Sequence, residues 1–267
     1  MRIAIVTGAS SGIGREFVRQ IERFYKELDE IWVIARREER LQELKKNLST
    51  YVRIFAGDLQ KDLVYKQVLN RLENQNPDIR MLVNAAGFGK TGTVEEIAAK
   101  DRRMQPQMAE VNCCGLTEMI CLCLPYMSKG SRIINVASAA AFCPQPRFAV
   151  YAATKAYVLN FSRGLGEELK EKGMFVTAVC PGPVDTEFFE ISGTSTATVK
   201  ECFMARPEDV VRKALIDSRR KKELSVYGKA MKGARIAAKI IPHRFLLRIM
   251  GRLDHIQFEK NREDTEE

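Results

Sequence analysis

Histidine is nearly absent from this 267-residue chain; His243 and His255 are the only two. None of the seven cysteines stands at metal-ligand spacing from either of them. The odd number of cysteines also argues against a disulfide framework. Cys113, Cys114, Cys121 and Cys123 share one apolar stretch, and the Cys121-Leu122-Cys123 spacing suits neither zinc nor disulfide redox chemistry. The expectation is buried reduced thiols in a cytoplasmic protein, and no metal site. Long hydrophobic runs are missing too. The longest, Met119 to Met127, is interrupted by Pro125 and is far shorter than a membrane span. No low-complexity tract or internal repeat occurs. Met1-Arg2-Ile3-Ala4-Ile5-Val6 runs straight into a glycine turn, so it reads as a first strand rather than a signal peptide.

What is present is enough for one sizeable core and short for two, since 45% of residues are hydrophobic. The net charge of +9 is unevenly spread. Residues 229–252 hold seven Lys/Arg and no acid, whereas 254–267 hold six acids and two bases. The balance favours anionic ligands or an anionic surface without selecting among them. No nucleic-acid partner is expected.

Apolar runs recur at Ile3–Val6, Ile31–Ala35, Val52–Ala56, Met81–Asn84, Arg132–Ala137, Phe175–Val179 and Leu224–Tyr227. Helical spacing fills the gaps, as in Glu16 to Leu28, Glu39 to Leu48 and Leu63 to Leu72. This alternation predicts an α/β, Rossmann-type, doubly wound parallel sheet of seven strands with helices on both faces. The unit runs over residues 1–228, and 229–267 form a C-terminal helical extension with an acidic tail. Right-handed crossovers bring the strand C-termini to one edge, where ligands bind.

Thr7-Gly8-Ala9-Ser10-Ser11-Gly12-Ile13-Gly14 follows the first strand. Gly8 permits a tight turn, Gly12 lets a pyrophosphate approach the backbone, and Gly14 lets the next helix pack close to the sheet. That helix then directs free N–H groups at the phosphate. An NAD enzyme places an acid near the end of strand two. Here Ala35 is followed by Arg36 and Arg37, and no acid competes, because Glu38 and Glu39 lie in the next helix. Two guanidiniums suit a 2′-phosphate, so the expected cofactor is NADP(H), with Arg15 as an added contact.

Tyr151 and Lys155 lie four apart and share a helix face. Tyrosine, with a pKa of about 10, exchanges protons poorly near neutrality, and an ammonium beside it favours the phenolate. Ser138, at the end of strand five, can donate to a substrate oxygen. Each residue alone is unremarkable. Together, downstream of a phosphate turn, they predict hydride transfer between a nicotinamide and a ketone or secondary alcohol.

With these motifs the sequence resembles the short-chain dehydrogenase/reductase family in its compact form, over roughly residues 1–228. The resemblance carries four catalytic assignments: Asn112, Ser138, Tyr151 and Lys155. It implies that Asn112 holds a water linking lysine to solvent. It also implies cofactor contacts from Asp58 and Leu59 at the adenine and from Asn84-Ala85-Ala86-Gly87 after strand four. Pro181 and Gly182 after strand six join these, with Val184 and Thr186 at the carboxamide. Tyr151 and Lys155 count among the cofactor contacts as well.

The family's substrate pocket is built from loops that map to Phe88–Thr93, Ala139–Val150 and Asp185–Ala205. They supply Phe88, Phe142, Phe148, Phe188, Phe189, Ile191, Phe203 and Met204, which favour a bulky apolar substrate such as a hydroxysteroid or bile acid. A 3-ketoacyl or xenobiotic carbonyl reductase, or an NADP-sensing regulator without turnover, are the alternatives. Ser192 to Thr198 read as a stretch that closes over substrate. Beyond Lys229, two helical segments break at Pro242, and Arg244, Arg248 and Arg252 recur every four residues. This basic amphipathic helix packs on the domain or a second subunit, covers the pocket, or touches a membrane surface. A homodimer or homotetramer is expected.

Overall fold

The computed structural model describes residues 1–193, 204–248 and 251. Seven parallel strands form one sheet in the order β3-β2-β1-β4-β5-β6-β7. They are β1 (Arg2–Thr7), β2 (Glu30–Ala35), β3 (Tyr51–Ala56), β4 (Asp78–Asn84), β5 (Arg132–Val136), β6 (Phe175–Val179) and β7 (Leu224–Ser225). The order reverses between β1 and β4, which opens a crevice above their C-terminal ends.

Ten helices are described: α1 (Gly12–Phe24), α2 (Glu38–Lys46), α3 (Asp62–Gln75), α4 (Val94–Lys100), α5 (Met104–Ala109), α6 (Leu116–Cys123), α7 (Ala149–Lys170), α8 (Phe188–Ser192), α9 (Pro207–Arg219) and α10 (Lys229–Ile240). The two cores follow the period-2 alternation of the strands. In β1, Ile3 and Ile5 point into one core with residues of α3, α6 and α7. Ala4 and Val6 point into the other, against Phe17 and Ile21 of α1, Leu41 of α2 and Val211 of α9. A sheet buried on both faces reads as continuous apolar runs, which is the pattern in the sequence.

Two expectations need correction. Cys114 and Cys121 are exposed, not buried; Cys123 and Cys180 are the buried pair. A thiol can share an apolar stretch and still sit on a helix's outer face. The helical run Met104–Tyr126 is also long and apolar enough to cross a membrane by length and composition alone. Met108, Leu116, Met119, Ile120 and Cys123 of this run are buried in the fold, as in a core helix.

Candidate active site

The predicted strand-end motifs, with the exception of Asn84, meet in one cleft of about 1390 Å³. At one end lies the glycine turn. A Cβ on Gly14 would stand 2.2 Å from the Gly8 carbonyl oxygen, and one on Gly8 would stand 2.7 Å from the Ala86 nitrogen. A Cβ on Gly12 would stand 3.2 Å from the Thr186 side chain. Gly8 and Gly12 have φ of 69° and 50°, a region that favours glycine. The turn is thus a cradle that side chains would fill. At the start of α1, Ser11 makes no side-chain cap and the first turn holds no acid. The helix's N–H groups are left for an anion. These residues fit a dinucleotide pyrophosphate.

Gly8, Ser10, Ser11, Gly12, Ile13, Gly14, Arg36, Arg37, Asp58, Leu59, Ala85, Gly87, Tyr151, Lys155, Pro181, Gly182, Val184 and Thr186 all line this cleft. Asn84 does not. Its Nδ2 donates to Asn135 Oδ1 at 2.9 Å, and Asn135 Nδ2 donates in turn to Ser162 Oγ at 2.9 Å. The side chain of a strand's last residue points into the layer its register dictates, here the buried one. Asn84 ties β4 to β5 from within and makes no wall.

The expectation that no acid competes for the arginines also fails. Arg37 Nη1 is 2.9 Å from Glu187 Oε2, and Arg40 Nη1 meets the other oxygen of the same carboxylate. Arg37 Nη2 donates to Ser11 Oγ at 2.8 Å. Glu187 lies 150 positions away in the chain, on the loop after β6. Arg36 is exposed and lines the cleft.

At the other end stands Tyr151, near the start of α7, 7% exposed. Burial pushes its phenol up to about 12, and a hydrogen bond from Ser138 opposes that rise. Ser138 Oγ also accepts from the Ala140 N–H at 3.1 Å, which fixes its direction. Lys155, one turn on, is equally buried, and desolvation brings its ammonium down to about 8. Its Nζ donates to the Val136 carbonyl at 2.8 Å and lies 5.7 Å from the centroid of the Tyr151 ring. The expectation that the lysine sets the phenol's acidity is therefore not met in this structure. Burial dominates, and Ser138 supplies the opposing hydrogen bond.

Asn112 sits in a π-helical turn, Glu110–Gly115, between α5 and α6. Such turns interrupt α-helices frequently at functional sites. Its Oδ1 accepts from Phe88 N at 3.0 Å. Its Nδ2 donates to Phe88 O at 2.9 Å and to Thr154 Oγ1 at 3.1 Å. It thus clamps the loop after β4 against α7. A Cβ on Gly87 would lie 2.8 Å from Asn112 Oδ1 and 3.4 Å from Lys155 Nζ, so two catalytic candidates converge here.

The substrate end is aromatic. Phe148 stacks on Tyr151 with centroids 4.3 Å apart, and Phe188 tilts against it at 5.4 Å. Phe88, Phe142, Phe189 and Ile191 also line the cleft. Met204 is described but is not part of the wall, whereas Phe203 lies outside the described residues. Of the stretch 192–198 only Ser192 and Gly193 are described. Sequence reasoning left the place of α10 open. Its Met231, Ala234 and Ala238 close one side of the cleft. Its Ile236 and Ile240 are exposed. Residues 243–248 are helical after the break at Pro242, while Arg252 lies outside the described residues.

Residues 2–195 match the model of the family described as short chain dehydrogenase. The chain belongs to that family. It is an oxidoreductase that uses a nicotinamide cofactor and acts on alcohols or ketones. The chain is 35% identical over 186 residues to serine 3-dehydrogenase of Agrobacterium fabrum, covering 69% of this chain and 72% of the relative. It is 31% identical over 195 residues to 17-beta-hydroxysteroid dehydrogenase type 3 of Danio rerio, covering 68% of this chain and 61% of the relative. Among solved structures, a short-chain dehydrogenase from Sphingobium yanoikuyae in complex with NADPH superposes with TM-score 0.74 at 26% identity. That match covers 91% of this chain and 97% of the other.

Proposed function

We propose that this protein is an NADP(H)-dependent reductase of bulky apolar ketones, or the dehydrogenase of the matching secondary alcohols, with hydroxysteroids and bile acids as the leading substrate class. One observation carries the reading. The Tyr151 phenol, with Ser138 beside it in the same cleft, faces the rings of Phe148 and Phe188. Aromatic walls with a few fixed polar groups suit a large apolar ligand oriented by one oxygen. The hydroxysteroid dehydrogenase and the NADPH-bound structure among its relatives support the same reading.

A nicotinamide cofactor held in this cleft would supply the hydride for the carbonyl carbon. Ser138 donates a hydrogen bond to the carbonyl oxygen and stabilises charge developing there. The Tyr151 hydroxyl gives its proton to that oxygen, and its raised pKa keeps the proton available across neutral pH. Lys155 then offers the nearest ammonium from which the phenolate recovers a proton. Asn112 holds the Phe88 backbone in place beside it. Arg36 and Arg37 take the 2′-phosphate.

The six described cysteines are free thiols, which supports a cytoplasmic setting, and a homodimer or homotetramer is part of the same proposal. The test is an NADPH-oxidation and NADP-reduction screen over steroids, bile acids, acyl thioesters and simple ketones. Turnover confined to small ketones or acyl thioesters would replace the substrate class.

A further inference from the structure

Glu187 joins two regions of the cleft that are far apart. On one side its carboxylate is shared by Arg37 and Arg40, and Arg37 also reaches Ser11 of the glycine turn. On the other side it immediately precedes α8, whose Phe188 lies against Tyr151. Thr186 stands over Gly12, so this short segment crosses the place where the pyrophosphate fits. Arg37 thus links the adenosine end of the cleft to the substrate end through one carboxylate.

We propose that Glu187 is a displaceable latch: its carboxylate occupies the 2′-phosphate pocket, and a 2′-phosphorylated cofactor drives it out and frees α8 at the substrate end. The inference rests on the reading that Arg36 and Arg37 bind the 2′-phosphate. Charge decides the exchange. A phosphate monoester carries about −1.5 to −2 at pH 7 and three strong acceptor oxygens, whereas a carboxylate carries −1 and two. Two guanidiniums facing both anions would leave carboxylate and phosphate in repulsion. The ion pairs are partly solvated, with side chains 32–37% exposed, so the latch is weak enough to open. A cofactor without the 2′-phosphate puts no anion at the ribose 2′ position and leaves the latch closed. Glu187 would thereby make substrate-site opening report on the phosphate, a selectivity that the arginines alone do not supply.

The adenosine fragments 2′,5′-ADP and 5′-AMP, which differ only in the 2′-phosphate, test this on the full chain, because neither reaches the substrate end. Binding is measured by calorimetry on the unaltered protein, on Glu187→Gln and on Glu187→Ala, with circular dichroism to confirm folding. Removing the carboxylate should tighten 2′,5′-ADP about five-fold, the size of one exposed ion pair, and leave 5′-AMP within about two-fold. Hydrogen exchange at residues 188–192 of the unaltered protein should rise with 2′,5′-ADP and stay level with 5′-AMP. The latch is overturned if both variants bind 2′,5′-ADP no more tightly than the unaltered protein, or if exchange at 188–192 does not respond. If the unaltered protein and both variants alike fail to prefer 2′,5′-ADP over 5′-AMP, the phosphate reading itself has failed.

Discussion

Lys155 Nζ donates to the Val136 carbonyl at 2.8 Å and makes no hydrogen bond to Tyr151. The two groups differ in what burial does to them. The phenol is pushed up to about 12 and the ammonium is brought down to about 8. In the reduction direction the phenol is therefore protonated throughout the working range. The ammonium is present below about pH 8 and is lost as pH rises through that value. Initial rates of ketone reduction at saturating NADPH should be level up to about pH 7, reach about half near pH 8 and fall further above it. A profile flat to pH 9.5 would show that the lysine's charge is not needed.

Asn112 satisfies both backbone groups of Phe88. Replacement by alanine leaves a half-buried N–H and a half-buried carbonyl without partners, each costing about 1–2 kcal/mol. Asn112→Ala should lose about 2–4 kcal/mol of unfolding free energy in urea and also lose activity. A loss below about 0.5 kcal/mol would mean that the loop holds itself in place.

The glycine turn is tested by Gly14→Ala. The added methyl would lie 2.2 Å from the Gly8 oxygen, which is backbone and cannot swing aside. Overpacking of this kind costs about 3 kcal/mol or more, and α1 should shift away from β1. The urea midpoint should fall, and NADPH affinity, followed by nicotinamide fluorescence, should weaken at least ten-fold. Unchanged affinity would contradict the assigned role of the turn.

Phe148 stacks on the Tyr151 ring at 4.3 Å. Truncation to alanine removes a wall and an aromatic pair worth about 1 kcal/mol. KM for a steroid ketone should rise about ten-fold, while KM for acetone-sized ketones stays within about two-fold. Equal effects on both would remove Phe148 from the substrate wall.

The seven strands were legible because a sheet covered on both faces demands near-continuous apolar runs such as Ile31–Ala35 and Phe175–Val179. Three of the four catalytic candidates were legible because Ser138 ends a strand and Tyr151 and Lys155 sit one helical turn apart, whereas Asn112 came only with the family resemblance. What escaped depends on contacts between segments distant in the chain. Glu187 reaches Arg37 across 150 positions, so reading the arginines' neighbours in sequence missed their partner. Asn84 matched its motif, but its direction at the end of β4 turns it into the sheet. Tyr151 is covered in part by Phe188 of α8, from a segment 37 positions away, besides Phe148 at the cap of its own helix. The π-helical turn at Asn112 leaves no periodic signal in a stretch read simply as apolar.

Proton delivery by Tyr151 is tested most directly by single-turnover reduction of a steroid ketone by Tyr151→Phe with NADPH bound. General acid catalysis is worth about 10²–10⁴-fold, so the rate should fall by at least 100-fold while NADPH affinity stays within about three-fold. A Tyr151→Phe protein that reduces the ketone at near-normal rate would contradict the mechanism, whatever the substrate proves to be.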